Sequence, residues 1–139
     1  MTQPPAVPYV DQHAGPKRVL ELVCRRGLMS GAGVEVSIDG RAYPMPWGTT
    51  RFEVPADRPV SVGVRQTIRG GAGQAHKVLA PQEPPVLEYR GPAHLSQPGD
   101  LGAPGTTRSR GLGCQIALLV VLAFLLLLLV GIGFVLFMR

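Results

Sequence analysis

Hydrophobic positions follow two different patterns along this chain. Between Val34 and Asp39, Val34, Val36 and Ile38 alternate with Glu35, Ser37 and Asp39. That is the period-2 signature of a strand with one face in a core and the other in water. From Leu112 to Met138 there is no alternation. The run LGCQIALLVVLAFLLLLLVGIGFVLFM holds no Asp, Glu, Lys, Arg or His. As a helix rising about 1.5 Å per residue it reaches about 40 Å, enough to cross a ~30 Å hydrocarbon core with some tilt.

Further strands are legible between these landmarks. RVLELVCRR places Leu20, Leu22 and Cys24 on one side and Val19 and Val23 on the other, which predicts a strand buried on both faces. RFEVP at Arg51–Pro55 turns Phe52 and Val54 inward. Val60–Ile68 does the same with Val60, Val62, Val64 and Ile68, with Gln66 interrupting. Gln74–Ala80 reads as a weaker strand returning from a Gly-rich hairpin at residues 69–73. Val86–Arg90 closes the series with Leu87 and Tyr89 inward. Asp39–Gly40 is a tight-turn signal. Pro44 and Pro46 exclude a central strand between it and Trp47. Six strands without a helix predict a mainly β domain, a small antiparallel β-sandwich or partial barrel, followed by one C-terminal transmembrane helix.

The expected organisation is a Pro-rich disordered arm over residues 1–16, a β-domain over 17–90, a mobile Gly/Pro-rich linker over 91–111 and a membrane span over 112–138. Pro4, Pro5, Pro8 and Pro16 disfavour helix in the arm, and the arm has no basic segment leading into an apolar run, so it does not read as a signal peptide. The linker GPAHLSQPGDLGAPGTTRSRG has little to bury and would hold the domain tens of ångströms off a bilayer at about 3 Å per residue.

The run VEVSIDG, a Pro-containing loop and WGTTRFEVPADRPVSVGV, from Val34 to Val64, resemble the PEGA-type surface repeat. Ala56, Asp57 and Arg58 stand where the closing turn of that repeat usually has Gly. The resemblance implies a small non-enzymatic β-module of a kind often found beside membrane segments, with no catalytic residues to carry over.

Composition narrows the function classes. Net charge is +5, and Arg outnumbers Lys heavily, which suggests a GC-rich bacterial source. Asp and Glu interleave with Arg from Glu21 to Arg90, so no basic stripe marks a nucleic-acid binder. Cys24 and Cys114 lie too far apart in pattern for a disulfide framework or a zinc site. GLMSGAG at Gly27–Gly33 lacks the Lys-Ser/Thr of a phosphate loop and runs into a strand. His13, His76 and His94 are scattered, and no paired carboxylates or nucleophile–base motif stands out. The expectation is therefore no enzyme, no cofactor, no metal and no nucleic-acid partner.

The membrane-flanking cations are Arg108 and Arg110 before the span and Arg139 after it. They vote for a cytoplasmic N-terminal domain in a single-pass, tail-anchored protein of the cell membrane. The span contains no ionisable group that would mark a proton or ion path. Ala117, Ala123 and Gly131 offer a small-residue contact for homo-oligomers, although Gly131 and Gly133 do not form a GxxxG face. Cys114 mimics a lipobox but precedes its apolar run. The leading reading is a tethered binding or scaffolding module for the bilayer and an unidentified protein partner, with Tyr43, Pro44, Pro46 and Trp47 as its contact surface. The second reading makes the helix the active, assembly-driving or membrane-perturbing part, regulated by the β-domain.

Overall fold

The structure, a computed structural model, describes residues 5–68, 71–110 and 112–137. Arg139 and the tip of the 69–73 hairpin at Arg69 and Gly70 lie outside the described residues.

Alternation drives the architecture. Strands β1 (Lys17–Arg25), β2 (Val34–Ile38), β3 (Arg41–Met45), β4 (Gly48–Pro55), β5 (Val60–Gln66), β6 (Ala75–Leu79), β7 (Val86–Arg90) and β8 (Asp100–Gly102) precede a single helix, α1 (Leu112–Phe137). They form two four-stranded sheets, β4-β1-β7-β8 and β3-β2-β5-β6. The first sheet presents Leu20, Leu22, Phe52, Val54, Leu87 and Tyr89, and the second Val34, Val36, Val60, Val62, Val64 and Leu79, all within one buried cluster. Each such aliphatic side chain contributes about 1.5–3 kcal/mol when taken out of water. The chain is thus mainly β, a β-sandwich with one C-terminal apolar helix. Its second sheet is antiparallel throughout; the first is mixed, because β1 and β7 pair in parallel.

Four expectations need correction. Val19 is 37% exposed, so β1 is buried on one face only, like its neighbours. Arg41–Met45 is a strand that the count of six left out; the exclusion of a central strand stands, because β3 lies at the sheet edge, where the missing N–H of Pro44 costs no ladder bond. The N-terminal arm is not free over its described part. Val7 N–H donates to Arg51 O at 2.8 Å and Glu53 N–H to Val7 O at 2.8 Å, adding a bridge to the edge of β4. Tyr9 is buried, and its hydroxyl donates to Asp39 Oδ2 at 2.7 Å. Finally, residues 91–110 are not a mobile linker. β8 pairs with β7, Ala93 is fully buried and Thr107 nearly so. The composition lacked apolar runs because this segment is held mainly by backbone bonds and short polar side chains.

The β2–β3 turn behaves as its Asp-Gly signal predicts. Asp39 has φ 47° and Gly40 φ 86° across a two-residue connection, the type I′ geometry that matches strand twist.

Within α1, Ile116–Phe134 forms 19 residues of mean hydropathy 3.2, none of them buried against the rest of the chain. The helix is long and apolar enough to cross a membrane.

Candidate functional site

Residues 41–47 alternate, and that splits the contact surface expected from the sequence. Tyr43 and Trp47 turn inward, while Pro44 and Pro46 point to solvent. Tyr43 packs on Phe52 with ring centroids 5.7 Å apart. Trp47 stacks on Tyr89 at 6.2 Å and donates from Nε1 to Gly31 O at 2.8 Å, with Arg26 6.0 Å above its ring. These two aromatics are packing groups first, and the four residues do not share one face.

The outer face of the second sheet carries a more coherent arrangement. Register sets Ser37 and His76 on either side of Gly63, and Glu35 opposite Arg65. Gly63, without a side chain, lies in the middle of this face, on the floor of an open trough of about 480 Å³ also lined by Glu35, Ser37, Arg65 and His76. A Cβ at Gly63 would meet Ser37 Cβ at 3.5 Å and His76 Cδ2 at 3.8 Å, ordinary contact distances. Space alone therefore does not demand glycine here. Glu35 Oε1 accepts from Arg65 Nε at 2.8 Å and lies 2.6 Å from Nη2. Such an exposed pair adds about 0–1 kcal/mol of stability, and its polar atoms stay accessible for exchange with a ligand.

Ser61 Oγ lies 2.7 Å from His76 Nε2 on the same face. A hydroxyl beside an imidazole is the geometry of a nucleophile and its base. No carboxylate is bonded to the other His76 ring nitrogen among the described residues, and the pair sits on an open sheet face rather than in a cleft. The trough presents hydrogen-bonding groups and one ion pair, which suits recognition of a polar chain.

Sequence reading missed these residues because each is an ordinary outward-facing polar side chain. The one usable signal was Gly63, a lone glycine inside an otherwise alternating valine strand.

The two ends of the sandwich differ. At the end holding the N-terminal arm, Asp39 accepts from Tyr9 and from Ser61 N–H at 2.9 Å and lies 3.3 Å from Arg58. Burial and the Asp39 carboxylate raise the Tyr9 hydroxyl above its ordinary pKa. At the other end, buried polar groups clamp the loops. Gln66 Oε1 accepts from Gly31 N–H at 3.0 Å, and Tyr89 donates to Gly73 O at 2.6 Å, its own pKa pushed up to about 12 by burial. Gly27 sits so close to Gly91 and Pro92 that a Cβ would come within 2.4 Å of their carbonyl oxygens, which explains that glycine.

Glu88, on the outer side of β7, is almost fully buried beneath residues 103–108. It accepts from Thr107 Oγ1 and from Gly105 N–H at 3.4 Å, and faces Arg25 at 3.3 Å and Arg90 at 3.7 Å. The Thr107 bond, then the Gly105 bond and the two guanidiniums, hold its carboxyl below the usual range despite the burial. Arg108 N–H donates to Asp100 Oδ2 at 2.9 Å, and Arg110 lies 3.6 Å from Asp100. Arg108 and Arg110, which precede α1, thus belong to the folded domain. Cys24 is free and buried, with its thiol pushed up to about 12 by desolvation, an inert state.

Comparison with protein-family models, with curated proteins and with solved structures returns no match for this chain.

Proposed function

We propose that this is a single-pass membrane protein whose β-sandwich is a cytoplasmic binding module, with the trough over Gly63 as its contact site for a polar segment of a protein partner. The observation that carries the reading is that trough: a flat sheet face would have no reason to place a side-chain gap between Ser37 and His76 and beside the Glu35–Arg65 pair. The PEGA-type resemblance of Val34–Val64 belongs to the same reading. It points to a non-catalytic β-module, and the trough involves β2 and β5 from that stretch.

Filling the gap separates binding from folding. Gly63→Val places a β-branched residue where a Cβ already fits, so stability should change by less than about 0.5 kcal/mol. Partner capture should fall about tenfold, equivalent to about 1.4 kcal/mol. A photocrosslinker carried at Ser37 in the full-length protein reads this in cells. Crosslinked products that persist unchanged in Gly63→Val discard the trough as the site.

Two arginines before α1 against Arg139 after it support the cytoplasmic orientation. Arg108 and Arg110 precede α1 directly, and cations beside a span are retained on the cytoplasmic side. Protease added to intact cells should leave the sandwich uncut; shaving of the domain would reverse the topology.

A further inference from the structure

The helix-proximal end of the sandwich combines cationic side chains with exposed apolar ones. Because β1 and β7 run parallel, Arg25 and Arg90 lie side by side, and Arg26 follows. The returning segment adds Arg108 and Arg110 beside them. Facing these five arginines are Glu88, which is buried, and Asp100. At the opposite end Asp11, Asp39, Asp57 and Glu83 each sit beside a basic side chain, so the cationic excess belongs to one end.

Apolar exposure is concentrated there too. Leu28 is 72% exposed and Met29 48%, in the loop after β1; Leu95 is 40% exposed, in the loop after β7. Outside α1, the other exposed large hydrophobics among the described residues are Val10, Val19 and Val78, which lie elsewhere. The loop bearing Leu28 and Met29 is clamped from behind by Gln66 and Trp47, both bonded to Gly31. Its backbone is fixed while its longest apolar side chains face out.

Chain connectivity then says what meets this surface. Ala93 N–H donates to Arg110 O at 3.1 Å, and α1 begins at Leu112. Two residues span at most about 7 Å. A membrane-embedded α1 therefore brings this end into the headgroup layer.

We propose that the helix-proximal end docks on an anionic lipid leaflet, with arginines among Arg25, Arg26, Arg90, Arg108 and Arg110 on headgroup phosphates and Leu28, Met29 and Leu95 entering the interface. This rests on α1 spanning the membrane. Guanidinium forks match phosphate oxygens, and attraction to an anionic surface decays within a Debye length, so the tether must be as short as it is. Docking fixes the sandwich upright and leaves the Gly63 face accessible from the side.

The test uses the full chain in vesicles of phosphatidylcholine alone and of phosphatidylcholine mixed with phosphatidylglycerol. An environment-sensitive fluorophore is attached through Leu28→Cys in a Cys114→Ser background; the Cys24 thiol is buried and stays unlabelled. A second preparation carries it through Gln82→Cys at the far end. The expected result is a blue shift at position 28 in anionic vesicles, reversed by high salt and reduced by Arg26→Gln with Arg108→Gln, and none at position 82. Aqueous emission at position 28 in both vesicle types, or a blue shift that appears only on adding soluble protein, overturns the docking. Flotation after a carbonate wash reports the anchor separately. Protein that floats but stays aqueous at position 28 refutes docking alone, whereas protein that fails to float refutes the spanning helix and the docking with it.

Discussion

Trp47→Ala should cost the domain about 3 kcal/mol, the low end of the range for truncating a large packed aromatic. The reason is its position between layers. The indole stacks on Tyr89, itself fully buried, and its Nε1–H holds the Gly31 carbonyl of the loop that also depends on Gln66. Removing the ring leaves a cavity beside Tyr89 and frees one of the anchors of that loop. Trp47→Phe keeps the stack and loses the hydrogen bond, so it should cost about 1 kcal/mol. Pulse proteolysis of the detergent-solubilised full chain in a urea series measures both. If Trp47→Ala unfolds at the same urea concentration as the parent, the side chain is not part of the packing, and the sequence-level reading of an exposed contact aromatic regains its place.

Trp47 also marks where sequence reading was sufficient and where it failed. Strands β2, β4 and β5 were legible because their alternation directly reports one buried face, and β7 from Leu87 and Tyr89, although Glu88 on its other face is buried too. The turn at Asp39–Gly40 was legible because local backbone chemistry decides it. Pairing was not. Nothing in the spacing of Leu22 and Leu87 says that β1 and β7 run parallel, since that depends on how the chain crosses between sheets. Gln66 read as an interruption of a valine face, yet it is buried like the valines because two loop carbonyl and amide groups satisfy its amide. Residues 91–110 read as linker because their stabilising groups are a buried alanine, one backbone ladder with a few separate backbone bonds, and hydroxyls that find acceptors only after folding. The trough was invisible for a related reason. Its polar residues were each predictable as outward-facing, but their grouping across β2, β5 and β6 is a property of register.

Those corrections change what the tether does. With residues 91–110 folded onto β7, the reach between the sandwich and α1 is set by whether that segment stays attached, and Glu88 accepts two of the bonds that attach it.

Glu88→Ala should therefore release the segment that precedes α1 before it unfolds the sandwich. The substitution deprives the Thr107 hydroxyl and the Gly105 N–H of their acceptor and leaves Arg25 and Arg90 side by side without a counter-charge. Losing hydrogen bonds to a buried charge costs about 2 kcal/mol. That should raise the open fraction of residues 103–110, and hence tryptic cleavage after Arg108 and Arg110, about thirtyfold under conditions where opening is in rapid equilibrium. The pH dependence has a definite sign. Glu88 titrates lower in the folded chain than the usual glutamate value of about 4.3. With the segment released, Glu88 therefore takes up the proton first as pH falls. The stabilisation from Glu88 is complete above about pH 5 and is lost progressively as pH drops through 4 towards the folded value. A protease active in acid should accordingly cut parent and Glu88→Ala at converging rates as pH decreases, while at neutral pH the variant is cut far faster. Equal cleavage rates at neutral pH would mean that β8 and Ala93 hold the segment unaided. The short tether would then survive without Glu88, and the carboxylate would matter only for balancing the arginines around it.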